Sequence, residues 1–234
     1  MTIIAMSLKI KGWRKIIKWT VWGALGLLLL VFFVKVATYE ANYYSEKEGS
    51  ERAVAETVVD TGEELIEEEP GEQEVREYVV AADRPRYLRI SKLNINNARV
   101  LPMGVNAKGE LDTPVNIFDV GWYESSGKPG QGGTLVIDGH NGGPHVHGVF
   151  KNLPNLAEGD IIAVERGDGV VYNYSVVENV SVLLDDADAY MGTAAKSPQL
   201  GKESVTLISC TGEWSQKQQT YLSRQFVRAV LVEQ

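Results

Sequence analysis

Val205-Thr206-Leu207-Ile208-Ser209-Cys210 alternates apolar and β-branched residues with small polar ones, and it ends on the only cysteine of the 234-residue chain. That alternation is a β-strand pattern. Thr211-Gly212 follows at once, a turn signal that sets the thiol at a strand end, near a rim. Upstream, one histidine lies in a Gly-rich turn, Asp138-Gly139-His140-Asn141-Gly142-Gly143. Downstream, Tyr221-Leu222-Ser223-Arg224-Gln225-Phe226-Val227 is a second strand-like run that carries an arginine. Cys, His and Arg at strand ends are the residue types of a thiol nucleophile, its acid/base partner and an oxyanion donor.

Working outward from that strand, similar short runs recur. Arg86 to Val100 alternates Tyr, Leu and Ile with polar residues at period two, and Gly133–Ile137, Ile161–Glu165, Val170–Val180 and Tyr221–Val232 are further strand candidates. Pro129-Gly130, Gly142-Gly143-Pro144, Glu158-Gly159-Asp160 and Gly167-Asp168-Gly169 separate them. Short strands between Gly-rich turns predict an antiparallel sandwich or barrel. Only short helices are expected, around Val149–Leu156 and Asp186–Thr193, and the chain has no internal repeat.

The charge is uneven. The formal net charge of −8 argues against a nucleic-acid partner, because neutralising phosphates needs a basic surface. Residues 1–18 hold five basic side chains and no acid, whereas Glu46 to Glu77 holds thirteen acids against Lys47, Arg52 and Arg76. Between them, Trp19 to Val34 is uncharged, and with its flanks it approaches the ~20 residues that a bilayer requires. Val34-Lys35-Val36-Ala37-Thr38 makes a poor signal-peptidase site. The expectation is therefore a cytoplasmic N-terminus over residues 1–15 and a single transmembrane helix over 16–37 held in membrane lipid. An acidic stalk over 38–83 and an extracellular domain over 84–234 complete the chain. A lone cysteine in such a domain cannot form an internal disulfide, so the thiol is either buried and inert or reactive.

The motifs point to one family. Val205-Thr-Leu-Ile-Ser-Cys210 resembles the TLxTC strand of the sortases, with Ser209 where Thr is usual. Gly139-His140-Asn141 followed by Gly148-Val149-Phe150 resembles their histidine motif. Leu111-Asp-Thr-Pro114, Val120-Gly-Trp-Tyr123 and Pro129-Gly-Gln-Gly-Gly133 resemble the segments that lead into it, the last two in the manner of the class E and F branches. The resemblance covers about two-thirds of the chain, in the family's motif order. It implies a mostly β fold, a closed eight-stranded barrel with short helices, and transpeptidation without a cofactor. By the same resemblance Cys210 is the nucleophile, His140 the general acid/base and Arg224 the oxyanion stabiliser, three residues after the aromatic Tyr221. The implied partners are proteins with an LPXTG-like sorting signal and an amine of a cell-wall precursor or pilin.

Other readings of these residues stand beside that one. Arg224 and Arg228 lie an even number apart and share a strand face, so sheet geometry alone does not choose between them. Ser209 and Thr211 flank the nucleophile as candidate substrate contacts, although Ser209 equally suits a crowded strand end. His140, His145, His147 and Cys210 match no usual zinc spacing. Asp138, two residues before His140, reads either as a group that orients that histidine or, in preference, as a turn residue, and Trp122 and Trp214 read as packing. A catalytically silent, membrane-tethered β-domain that binds wall polymer or peptide is the alternative function, and it would need no complete Cys/His/Arg set.

Overall fold

A computed structural model describes residues 64–105 and 111–232, together with Lys35. The basic N-terminus, the expected span at 16–37 apart from Lys35, and the stalk up to residue 63 lie outside the described residues. Among the described residues no helix is long and apolar enough to cross a membrane.

Eight strands close into a barrel: β1 (Pro85–Ile90), β2 (Ile95–Met103), β3 (Val120–Tyr123), β4 (Thr134–Gly139), β5 (Ile161–Arg166), β6 (Val171–Leu183), β7 (Ser204–Ser215) and β8 (Thr220–Leu231). Their order around the barrel is β1-β2-β3-β4-β7-β8-β6-β5. Among the described residues two α-helices accompany the barrel, α1 (Glu72–Glu77) and α2 (Leu184–Ala194). The barrel is not wholly antiparallel as the turn pattern suggests, because β2 pairs parallel with β3 and β4 with β7. Parallel neighbours need long crossovers, and here these are residues 104–119 and the whole excursion through β5 and β6.

The alternating run 86–100 folds as two strands. A 3-10 turn, Ser91–Leu93, closes on Asn94 at φ 59°, a left-handed conformation that asparagine tolerates better than most residues. Inward-facing side chains of the strands, among them Leu88, Val100, Trp122, Leu135, Ile162, Leu207 and Val227, fill the barrel. Each such Leu, Ile or Val contributes about 1.5–3 kcal/mol on full burial. A second apolar cluster lies outside it: Val136, Ile208 and Phe226 are covered by Tyr190, Met191 and Ala194 of α2. Central β4 and β7 are thus buried on both faces, and their sequences are nearly continuous apolar runs.

The end of the barrel where β4 and β7 begin is locked by one carboxylate. Glu203 is 8% exposed and accepts hydrogen bonds from Gly130 N (2.9 Å), Gly132 N (2.8 Å) and the Tyr174 hydroxyl (2.6 Å). The turn that donates two of these needs glycine. Gly130 sits at φ 77°, and a Cβ there would fall 2.2 Å from the Tyr172 hydroxyl.

The distal part of the expected stalk is folded onto the barrel. Ile66 pairs with Asn116, the Tyr78 hydroxyl donates to Val100 O (2.6 Å), and Arg86 Nε donates to Tyr78 O (2.8 Å). Glu74 and Asp119 both pair with Arg99, and Asp83 pairs with Lys128. Acidic composition reads as solvated chain, but here Glu74 and Asp83 find basic partners on β2 and in the β3–β4 loop, so the folded unit begins before residue 84.

Candidate active site

Cys210 stands where β7 leaves its parallel neighbour. Pairing of β7 with β4 stops at Asp138 and Ile208, while pairing with β8 continues through Cys210↔Arg224 and Thr211↔Ser223 to Ser215↔Thr220. The strand therefore does not turn at Thr211-Gly212. Gly212 (φ 84°) takes up an irregularity between Thr211 and Trp214, which is how a bulge bends a strand without ending it. The ribbon beyond is pinned by an edge-on contact of Trp214 with Tyr221, centroids 5.2 Å apart.

Odd-numbered residues of β7 point into the barrel and even-numbered ones outward, since Val205 and Leu207 are in the inner cluster and Ile208 in the outer. Registers on either side then define rows across β4, β7 and β8. Val136, Thr206 and Arg228 form one, and Asp138, Ile208 and Phe226 form the next. Cys210 and Arg224 form the row at the rim. His140 follows the last residue of β4, beyond the final β4–β7 pair Asp138↔Ile208; of the three residues expected from sequence, the register pairs Cys210 with Arg224 directly.

His140 is held from two sides. Its ring Nε2 lies 2.8 Å from the Pro114 carbonyl oxygen. A carbonyl only accepts, so the proton is on Nε2 and Nδ1 keeps its lone pair for proton transfer. Behind it the loop 141–148 folds back, with Phe150 N donating to His140 O and Gly148 N to Asn141 O, both at 2.9 Å. A Cβ at Gly148 would meet His140 O at 2.4 Å, so only glycine permits this closure. Glu67 clasps the same loop from the N-terminal segment, accepting from His145 N (2.8 Å) and Val146 N (3.2 Å).

Burial pushes the Cys210 thiol up; the Arg224 charge opposes that shift and Asp138 adds to it. Burial pushes His140 down, against its bond to Pro114. Burial thus disfavours the charged form of each group. No direct hydrogen bond joins Cys210 to His140 or Arg224 among the described residues. Arg224 instead donates from Nη1 to Tyr221 O (2.9 Å) and Ser223 O (3.1 Å), and from Nη2 to Thr220 Oγ1 (3.2 Å).

The two arginines differ sharply. Arg228 is 6% exposed; its Nη1 donates to Glu178 (2.5 Å) and its Nη2 to Lys196 O (3.0 Å) and Thr193 O (3.3 Å). It ties the end of α2 to the sheet, two rows below the thiol. Ser209 is also structural in its contacts. It points inward, is 4% exposed, and its hydroxyl donates to Gly139 O at 2.9 Å. That bond ties the cysteine strand to the histidine strand, in keeping with the reading of Ser209 as a residue suited to a crowded strand end. Thr211 is half-buried at the rim.

Asp138 is likewise no turn residue. It lies on β4 between Gly121 and Ile208, and the Thr113 hydroxyl donates to its Oδ2 at 2.8 Å. Burial raises its carboxyl to about 7, against that hydrogen bond. A side chain at position 121 would strike it, since a Cβ there would lie 2.5 Å from Asp138 Oδ1. The sequence offers two signals for this carboxylate, its spacing of two from His140 and an acid inside the apolar run Thr134–Gly139. Among the described residues no three His, Cys, Asp or Glu side chains converge as metal ligands.

Solved structures similar to this chain include a sortase D5 transpeptidase of Clostridium perfringens (20% identity, TM-score 0.45, covering 70% of this chain and 90% of that one). Sortase A of Corynebacterium diphtheriae is similar at 25% identity, with a TM-score of 0.46 and 66% and 64% coverage. Sortase C of Streptococcus pneumoniae is similar at 20% identity, with a TM-score of 0.47 and 73% and 76% coverage. No curated protein matches the sequence. The sortase-domain family model matches residues 88–232, from β1 through the last strand and well over half of the chain, and the protein belongs to the sortase family of cysteine transpeptidases.

Proposed function

We propose that the chain cleaves an LPXTG-like sorting signal at Cys210 and transfers the acyl group to an amine of a cell-wall precursor or pilin. The observation that supports this reading is the rim pair Cys210↔Arg224, with His140 leaving the end of β4, the strand beside β7. The Cys210 thiolate adds to the signal's carbonyl carbon, and the electron pair moves onto the carbonyl oxygen. Arg224, released from its own backbone carbonyls, steadies that oxyanion. His140, as imidazolium, gives its proton to the departing amine, and a thioester remains. The incoming amine loses its proton to His140 as it attacks the thioester, which restores the starting pair.

The sequence also supports a membrane-anchored form with its catalytic domain outside the cell, since residues 16–37 carry the length and the basic flank of a single span. The test is direct. An LPXTG peptide with a labelled N-terminal half is incubated with the full-length protein and with Cys210→Ala, and the intact proteins are weighed by mass spectrometry. The reading requires a label-sized adduct on wild type and none on the variant. Cleavage by Cys210→Ala would place the chemistry elsewhere.

A further inference from the structure

The rim row stands on a half-buried carboxylate that the transpeptidation steps do not use. Asp138 lies one row below Cys210 on the same outward face, and among the described residues its side chain is bonded by Thr113. Thr113 adjoins Pro114, whose carbonyl receives His140 Nε2–H. A chain of contacts thus runs Asp138, Thr113, Pro114, His140. Gly121, directly opposite Asp138 on β3, leaves the space this arrangement occupies. The carboxylate touches the scaffold of the acid/base residue on one side and faces the nucleophile on the other.

We propose that Asp138 is a positioning residue that acts on both partners: through Thr113 it fixes the Pro114 wall from which His140 hangs, and its charge opposes ionisation of the Cys210 thiol. The ionisable groups facing Asp138 are Asp112 from the β2–β3 connection and Cys210 from β7. Arg224, from β8, faces the thiol with the opposite sign, and Tyr221, also from β8, is itself raised by burial and by Cys210. The sign follows from the carboxyl's titration. Above about 7 Asp138 is charged and adds to the burial that disfavours the thiolate; below it the carboxyl is neutral and that contribution disappears. The device keeps the resting thiol unreactive at alkaline pH and leaves its activation to a bound substrate. This role in the reaction rests on the transpeptidase reading above; the effect on the thiol does not.

Because Cys210 is the only cysteine, iodoacetamide labelling of the full-length protein reports on it alone. Labelling rate against pH is measured for wild type and Asp138→Asn, with circular dichroism as the check on folding. Asn retains an oxygen to accept from Thr113 and loses only the charge, so its curve should lie at lower pH, with labelling several-fold faster in the mildly alkaline range. A curve superimposable on wild type, or displaced to higher pH, overturns the proposal. The positioning half is read from acyl-enzyme formation on the labelled peptide. Thr113→Val should slow it while Thr113→Ser restores it, and equal rates for Val and wild type overturn that half. If wild type forms no acyl-enzyme at all, the sorting-signal reading fails, and the labelling curves alone decide the role of Asp138.

Discussion

The two ends of the β4–β7 pair are built on opposite principles. At the end where the strands begin, the buried carboxylate of Glu203 meets three donors at 2.6–2.9 Å, and nothing there is left to react. At the other end sit a thiol, an imidazole and a carboxyl whose charged forms are each disfavoured by burial. Fully partnered polar groups fix a fold, whereas under-partnered ones hold free energy that a substrate can release. The same sheet thus carries a lock at one end and a reactive site at the other.

The largest effects should separate those ends cleanly. Cys210→Ala should lose all acyl-enzyme formation while its denaturation midpoint stays near that of wild type, because a half-buried thiol at the rim contributes little packing. Glu203→Ala should do the reverse. It strips the partner from two backbone amides and a buried tyrosine hydroxyl, at about 1–3 kcal/mol for each donor left unpaired. Urea denaturation should show that loss, with acylation per folded molecule retained. If Glu203→Ala abolished acylation at full stability, the division between lock and reactive site would be wrong.

A smaller effect sharpens the comparison. The Asp138 carboxyl is raised to about 7 in the folded protein, so between its ordinary value and 7 the native state binds a proton that the unfolded chain has given up. Stability therefore falls as pH rises through that window. Asp138→Asn has no such proton to lose. Its melting temperature should exceed that of wild type by a few degrees at pH 8 and converge with it near pH 4. Parallel melting curves for the two proteins across that range would contradict the raised Asp138 carboxyl.

Much of the rim was legible in the sequence because its signals are local. An apolar alternation ending in Cys210, a Gly-His-Asn turn and an aromatic three residues before Arg224 each carry their meaning within a few residues. What was not legible depended on partners far along the chain. Parallel pairing of β4 with β7 joins segments some 70 residues apart. β3 is four residues around Gly121, too short to show a period. The turn signal at Thr211-Gly212 was overridden because β8 supplies a partner past the bulge. Residues 64–83 read as solvated stalk because their acids find Arg99 and Lys128 only in three dimensions. The contacts of Ser209 and Asp138 stayed hidden for the same reason: one faces the barrel interior and the other a glycine on the next strand.

The arginines test the central claim, that chemistry belongs to the rim row alone. Arg224 faces Cys210, whereas Arg228 faces Thr206, roughly 13 Å further along β8 by strand rise. Acylation rate on the labelled LPXTG peptide and urea denaturation are measured side by side for Arg224→Ala and Arg228→Ala. Arg224→Ala should lower the rate on the order of 100- to 1000-fold, as loss of one oxyanion donor does, with stability little changed. Arg228→Ala should cost stability, by unpairing Glu178 and the end of α2, and leave the rate of the folded fraction near that of wild type. An inactive but stable Arg228→Ala beside an active Arg224→Ala would contradict the assignment of the site to this row.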